Sequence, residues 1–519
     1  MGSVISRRII GYVYILIQIL VHGIVADQAS SSFEVPLKRR KQVGVFAPVE
    51  DAQGNLIPYT EYLTITLLAS PSIDARYRID GSQTSAYNAA EIVVDTGSAL
   101  LSMYLKNTTV PEDCKQLYER YPNSTIDQRL LTPLPANSPE CRSFTYSVPD
   151  PNGDDCLFRI TYGGGSTSLN GFAAQEEFAF ENSTAVLGSS DVTLPSAPLA
   201  NAGLGGMMTI AAVENATNCD AFPGLGGMDN NENSVVSQLV SQELIGRHAL
   251  SVCTSLRDNA SFIVFGPAIP QSADLNDVIM YNGTTIQSIQ TESDAFEQSI
   301  DPLKETGLSS HYYVIVNGLQ IGESDAIQGP LSAIIDTGFP AFGVTKSMLD
   351  QVNAQISANA QKNSLPVAGP GCFAVGPDVS LPEIVSRVIP NVTIFFTNET
   401  KVVIPGAAFA EVVVMEDSGR EVCSTLLESS PQQLALGTAF FLNRFVQLDS
   451  ALGIMRTSEL EVCPSVPPGE GGWTVSDSIS VKGSYTFPYN IAASAAAQTH
   501  GFVVMMVASI LISIFFTCN

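Results

Sequence analysis

Two stretches decide how this chain folds: Ile92-Val93-Val94-Asp95-Thr96-Gly97-Ser98 in its first half and Ala333-Ile334-Ile335-Asp336-Thr337-Gly338-Phe339 in its second. Each is a run of apolar β-formers that stops abruptly at Asp-Thr-Gly. A carboxylate at the end of a buried strand is costly unless it is satisfied or used. The Gly lets the chain turn sharply and approach another segment closely. The Thr can hydrogen-bond across to its counterpart. An ordinary Asx turn at a strand end would explain either triplet alone. Two of them, each behind an apolar doublet, point to a pair of carboxylates brought together for chemistry.

The sequence around these stretches reads as β. Tyr62-Leu63-Thr64-Ile65-Thr66-Leu67 alternates apolar and polar residues, as a half-buried strand does. Short apolar runs recur at 158–162, 262–265, 312–316, 392–396 and 412–415, punctuated by Gly, Asn, Asp and Pro. Helical spacing is confined to 235–244 and 346–356. The expected fold class is mostly β with a few short helices.

Composition bounds the function. The 519 residues suffice for two or three domain-sized units, and 45% hydrophobic against 15% charged residues excludes a largely disordered chain. With 51 acidic and 25 basic residues the formal net charge is −26. Such a surface repels nucleic acid and anionic lipid heads, so neither is an expected partner. It also tolerates acid, since few bases are left to charge.

Both ends read as address labels. Residues 1–26 hold Arg7 and Arg8, an apolar run and a small-residue cleavage site at Val25-Ala26, the pattern of a secretory signal. Residues 27–55 form a short lead with the basic cluster Lys38-Arg39-Arg40-Lys41. That cluster reads equally as a solvated linker or processing site and as a prosegment whose cations cover the carboxylates. Past Cys463, residues 464–494 are rich in Pro, Gly and Ser and read as a stalk. Residues 495–519 follow a small-residue run with a polar spacer and an apolar tail, the order of a GPI-attachment signal joined at Ala493 or Ser494. A short tail-anchoring helix is the alternative.

Nine cysteines occur, and Cys518 lies in the removable tail. The others (Cys114, Cys141, Cys156, Cys219, Cys253, Cys372, Cys423 and Cys463) are even in number, as disulfides in an oxidising compartment require. Sequons at Asn107, Asn123, Asn182, Asn215, Asn259, Asn282, Asn391 and Asn398 suggest a glycosylated shell.

On these motifs the chain resembles the pepsin-like aspartic peptidases, of the secreted, GPI-anchored type. The resemblance implies a bilobal double-β-barrel fold, with one lobe at 56–270, the other at 271–463, and one catalytic aspartate, Asp95 and Asp336, from each. Thr96, Gly97, Ser98, Thr337 and Gly338 would support the pair. The segment 158–166 resembles the flap, with Tyr162, Gly163 and Gly164 closing over substrate. Segments 220–226 and 434–440 resemble the apolar-apolar-Gly crossings beneath each Asp loop. The family pattern further implies disulfides Cys372–Cys423 and Cys253–Cys463, leaving the pairing of the other four open.

The implied chemistry is hydrolysis of polypeptide substrates by water held between two carboxyls that share a proton. Such a split titration is the known behaviour of the family resembled, not a reading of this sequence. No cofactor or metal is required, and the resemblance implies a monomer. His248 and His311 alone lie in the body, so a Ser-His-Asp or His-metal site has little support.

The sequence departs from the family at two places. Phe339 and Pro340 follow Gly338 where Ser or Thr would place a hydroxyl on Asp336, and the ring threatens the water site. Ser102 stands where many relatives carry a Trp bonded to the flap Tyr. A catalytically silent surface glycoprotein that binds peptides or proteins is therefore the second expectation. A structural coat protein is a third, and it leaves the paired aspartates unexplained.

Overall fold

The computed structural model describes residues 31–41, 49–50, 56–57, 61–69, 88–111, 125–128, 131–144, 146–148, 153–162, 167–187, 204–217, 224–255, 261–271, 274–281, 310–325, 327–339, 341–376, 379–396, 400–414, 420–429, 433–459, 463 and 473–475. The expected signal, the anchor tail, Cys114, Cys219, Asn123, Asn259, Asn282 and Asn398 lie outside them, as do Gly163, Gly164 and Pro340.

Strands dominate, as expected. In the first lobe the order runs Ser147–Val148, Leu157–Tyr162, Thr167–Phe180, Gly205–Ala216, Leu101–Thr109, Gly224–Gly227, Asn88–Asp95, Glu61–Ala69, Lys38–Lys41. The long strand Thr167–Phe180 bends back so that Phe178 also pairs with Ala69, closing the sheet on itself. Closure removes an exposed edge and encloses a core around Ile65, Ile92, Val94, Met103, Phe178 and Ile210.

The second lobe is built on Tyr313–Ile321, Ile327–Ile335 and Gln433–Leu436, with Val392–Phe396 and Lys401–Ile404 on its flank. Between the lobes runs a sheet of Ser32–Pro36, Phe262–Phe265, Ala249–Thr254, Arg444–Asp449, Ile454–Glu459 and Asn276–Tyr281. Within it the wholly buried Arg456 is held by Asp277 at 3.1 Å and by Gln447 at 2.8 Å. A buried guanidinium needs such partners to be tolerated.

The two helical patterns form helices with polar caps. Val235–Ser241 is capped by Ser234, whose hydroxyl accepts from the Ser237 amide. The second helix, Lys346–Lys362, runs further than its apolar pattern and is capped by Thr345. It buries Met348, Val352, Ile356 and Ala360, spaced by four along one face.

Three features differ from the sequence reading. The expected lead is not separate from the body: Ser32–Pro36 lies between Thr184–Leu187 and Phe262–Phe265, and Lys38–Lys41 pairs with Glu61–Ala69. The Lys38 ammonium donates to Thr66 at 2.7 Å and to Glu181 at 3.1 Å, not to the paired aspartates. Second, Leu63–Ala69 is buried throughout rather than half-buried: residues 61–64 are flanked by Lys38–Lys41 and residues 67–69 by 178–180, and the Thr64 hydroxyl donates to Glu91. Third, the expected stalk begins later than 464, because Trp473–Thr474 pairs with Ile269–Pro270. Trp473 is 4% exposed and meets Phe262 edge-on at 5.8 Å. An apolar ring of that size gains more from a core than from solvent.

Disulfides join Cys253 to Cys463 and Cys372 to Cys423, as the resemblance implies, and Cys141 to Cys156, whose pairing the sequence leaves open. The described sequon residues Asn107, Asn182, Asn215 and Asn391 are all exposed.

Candidate active site

Asn88–Asp95 and Ile327–Ile335 deliver the two Asp-Thr-Gly loops to one another. Each strand has beside it a parallel partner from later in its own lobe. Leu225, Gly226 and Gly227 pair with Val93, Val94 and Asp95, and Gln433–Leu436 pairs with residues 332–335. Those partners hold the loop backbones: the Met228 amide donates to the Asp95 carbonyl at 2.8 Å, and the Asp336 amide donates to the Leu436 carbonyl at 3.1 Å.

Across the lobes the threonines lock the loops reciprocally. Thr96 and Thr337 each donate a backbone N–H to the other's Oγ1 at 3.0 Å. The Thr96 hydroxyl then donates to the Ile335 carbonyl at 2.8 Å, and that of Thr337 to the Val94 carbonyl at 2.7 Å. Both threonines are fully buried, so these bonds form without competing water.

The glycines set the separation of the acids. A Cβ on Gly97 would lie 2.5 Å from the Asp336 Cγ, and one on Gly338 would lie 2.4 Å from the Asp95 Cγ. Each carboxyl therefore sits directly over the opposite triplet's glycine, and only a residue without a side chain fits there.

The two acids differ in support. Asp95 accepts the Gly97 amide at 2.8 Å on Oδ1 and the Ser98 hydroxyl on Oδ2. Asp336 accepts the Gly338 amide at 2.9 Å and the Phe339 amide at 3.1 Å, both on Oδ1. Among the described residues, no hydroxyl from its own loop reaches its other oxygen. Burial raises the proton affinity of Asp336 well above the ordinary carboxylate range; the Asp95 charge and a hydrogen bond to Asp95 raise it further, and the two amides offset only part. The arrangement is one acid poised to keep its proton beside one whose two oxygens each accept a donor.

Phe339 turns its ring edge toward Gly437, where an added Cβ would lie 2.8 Å from ring Cδ1. The carbonyl of Phe339 accepts the Thr438 amide at 2.9 Å. The Ala341 and Phe339 carbonyl oxygens would lie closer still to that Cβ, at 2.0 and 2.4 Å, so the second-lobe crossing has glycine at that point chiefly for the close approach of backbone.

Leu157–Tyr162 and Thr167–Phe180 pair antiparallel over the segment expected to serve as a flap, with Tyr162 opposite Thr167. Ser102 is wholly buried on Leu101–Thr109, and its hydroxyl has no partner among the described residues. The described residues hold no cluster of His, Cys, Asp and Glu suited to a metal.

A family model described as the xylanase inhibitor N-terminal region matches residues 79–267. This covers Asp95 and Tyr162 but ends before Asp336. Among solved structures, that of edgp shares 15% identity at TM-score 0.50, covering 83% of this chain and 95% of that one. Conglutin gamma, a unique basic 7S globulin from lupine seeds, shares 13% identity at TM-score 0.50 over the same shares. No curated protein matches the sequence. The fold is pepsin-like.

Within that pepsin-like frame sequence reasoning misses two buried groups beside the dyad, Asp229 and His311, which lie 3.1 Å apart. The signal available is the rarity of histidine, four in the whole chain. Neither residue belongs to a motif, so nothing in the sequence pairs them.

Proposed function

We propose that this chain is an aspartic endopeptidase, secreted and held at the outer cell surface by a C-terminal lipid anchor. The observation that carries the reading is the complete, interlocked pair of Asp-Thr-Gly loops. A water between the carboxyls loses its proton to Asp95 as it attacks the scissile carbonyl. Asp336, protonated, hydrogen-bonds the carbonyl oxygen and stabilises the charge that develops there. Proton transfer to the leaving amine then completes cleavage. The reciprocal threonine bonds keep the acids in place through these steps, so little reorganisation is needed at the transition state.

A second reading rests on Phe339 standing where a hydroxyl would support Asp336, and on the match to an inhibitor-type family model. In it the protein is catalytically silent and uses the pepsin-like body to bind a peptide or protein. The two are separated by Asp95→Asn and Asp336→Asn, assayed on a mixed peptide library in acid. Loss of roughly 10³-fold or more in each variant supports the peptidase. Unchanged rates would mean that any cleavage comes from elsewhere. Tight peptide binding without turnover would favour the second reading. Release from cells by a GPI-cutting phospholipase C tests the anchor; retention on the cell would reject it.

A further inference from the structure

Behind the first Asp loop lies a buried polar hub that the dyad mechanism does not use. Asp229 is fully buried and its carboxylate accepts three donors: the Asn231 amide at 2.8 Å, the Ser310 hydroxyl, and His311 Nδ1 at 3.1 Å. His311 is itself 7% exposed. A carboxylate and an imidazole are costly to bury, and the fold contains them only because each satisfies the other.

The backbone around Asp229 touches the catalytic loop directly. The Asp229 amide donates to the Ser98 carbonyl at 3.2 Å, next to the Met228 bond to Asp95. Ser98 is the residue whose hydroxyl supports the outer oxygen of Asp95. On its other side the hub reaches the second lobe. The Asn230 amide donates to the Ser310 carbonyl at 3.1 Å, the Tyr312 hydroxyl donates to the Met228 carbonyl at 3.0 Å, and the Tyr312 carbonyl accepts the Ile335 amide at 2.9 Å. Ile335 immediately precedes Asp336. Residues 228–230 are therefore bonded directly to the first Asp loop and, through Tyr312, to the strand that ends beside Asp336; the Asp229 carboxylate, which takes both the Ser310 hydroxyl and His311, is the buried charged tie between the segments 228–230 and 310–312.

We propose that Asp229 and His311 are a positioning pair for the catalytic dyad, holding Ser98, and through it Asp95, in register with the strand that ends at Asp336. This rests on the peptidase reading above for its kinetic consequence, but not for its structural one. Losing the pair leaves the loop backbone free to shift by a fraction of an ångström, and small misplacements of reacting groups are expensive.

The test compares His311→Leu, which deletes the donor, with His311→Asn, whose amide nitrogen falls near the place of Nδ1. Both are made in the full chain. We expect His311→Leu to lower kcat about 10- to 100-fold with KM nearly unchanged, and His311→Asn to restore most of the loss. Combined with Ser98→Ala, His311→Leu should cost less than the product of the single effects, because the two act through one contact. Amide hydrogen exchange at Gly97 and Met228 should quicken in His311→Leu while the distant strand Val392–Phe396 keeps its rate. Should His311→Leu fail to fold, Asp229→Asn, which preserves size, takes its place in the same comparisons. Unchanged kcat together with unchanged exchange at Gly97, or single and double effects that simply multiply, would overturn the proposal. If the wild-type protein turns over no peptide, the peptidase reading falls alone, and local exchange at Gly97 still decides whether the pair positions the loop.

Discussion

Thr96 and Thr337 each accept the other's backbone N–H on a side-chain oxygen, at 3.0 Å in both directions. The symmetry follows from two similar loops meeting head to head. It has a cost if broken, because every member is buried. Thr337→Val keeps the shape but strands the Thr96 amide and the Val94 carbonyl. Each buried group left unpaired costs about 1–3 kcal/mol. Denaturant unfolding should show a lower midpoint for Thr337→Val and a nearly native one for Thr337→Ser. Equal stability of the two variants would contradict the account of the lock.

Gly97→Ala tests the spacing of the acids. Its Cβ would crowd the Asp336 carboxyl, with all three carboxyl atoms within 2.6 Å. The carboxyl must move or the loop must open. Hydrolysis should fall roughly 10²-fold or more while the protein remains folded by circular dichroism. Retained activity would show that the two loops are further apart than described.

Phe339→Ser addresses the unsupported acid. A serine there could bond Asp336 as Ser98 bonds Asp95. A hydrogen bond to the charged form lowers proton affinity. Asp336 would then lose its proton at lower pH, and the alkaline limb of kcat/KM against pH should move to lower pH. An unmoved limb would mean that Asp336 is not the acid that keeps the proton.

Stability should also follow pH, with a defined sign. Burial raises Glu34 and Glu411 from 4.5 to about 7. Their contribution is fully present below the unfolded value and is lost as pH rises from about 4.5 through about 7. His248, which burial lowers from 6.5 to about 4, works in the opposite direction: its contribution is present above 6.5 and is lost as pH falls toward about 4. With two carboxyls against one imidazole, and Asp336 adding to the carboxyl side, thermal stability should be higher at pH 5 than at pH 8. Glu34→Gln with Glu411→Gln should flatten the decline. A Tm that rises from pH 5 to pH 8 would contradict these burials.

The parts legible in sequence are those written as local patterns. Apolar runs ending in Asp-Thr-Gly mark the two loops, and their duplication pairs Asp95 with Asp336. Spacing of four marks the helix at Lys346–Lys362, although its last turns lack the large apolar residues that would extend the pattern. What is not legible depends on long-range partners. Lys38–Lys41 looks like a detached basic run because nothing local says that Glu61–Ala69 needs another strand. Trp473 looks like part of a stalk because its neighbours are Gly and Pro, while the ring that receives it, Phe262, lies far earlier in the chain. Asp229 and His311 are likewise far apart in sequence and meet only because both lobes converge behind Ser98.

The central claim is that Asp95 and Asp336 together activate water. The most direct measurement is the rate of peptide hydrolysis by the purified protein between pH 3 and 7, with and without pepstatin, alongside Asp336→Asn. The account predicts acid-favoured cleavage that pepstatin abolishes and that the variant lacks. Folded protein that cuts nothing across this range, or cleavage that survives both pepstatin and the loss of Asp336, would contradict it.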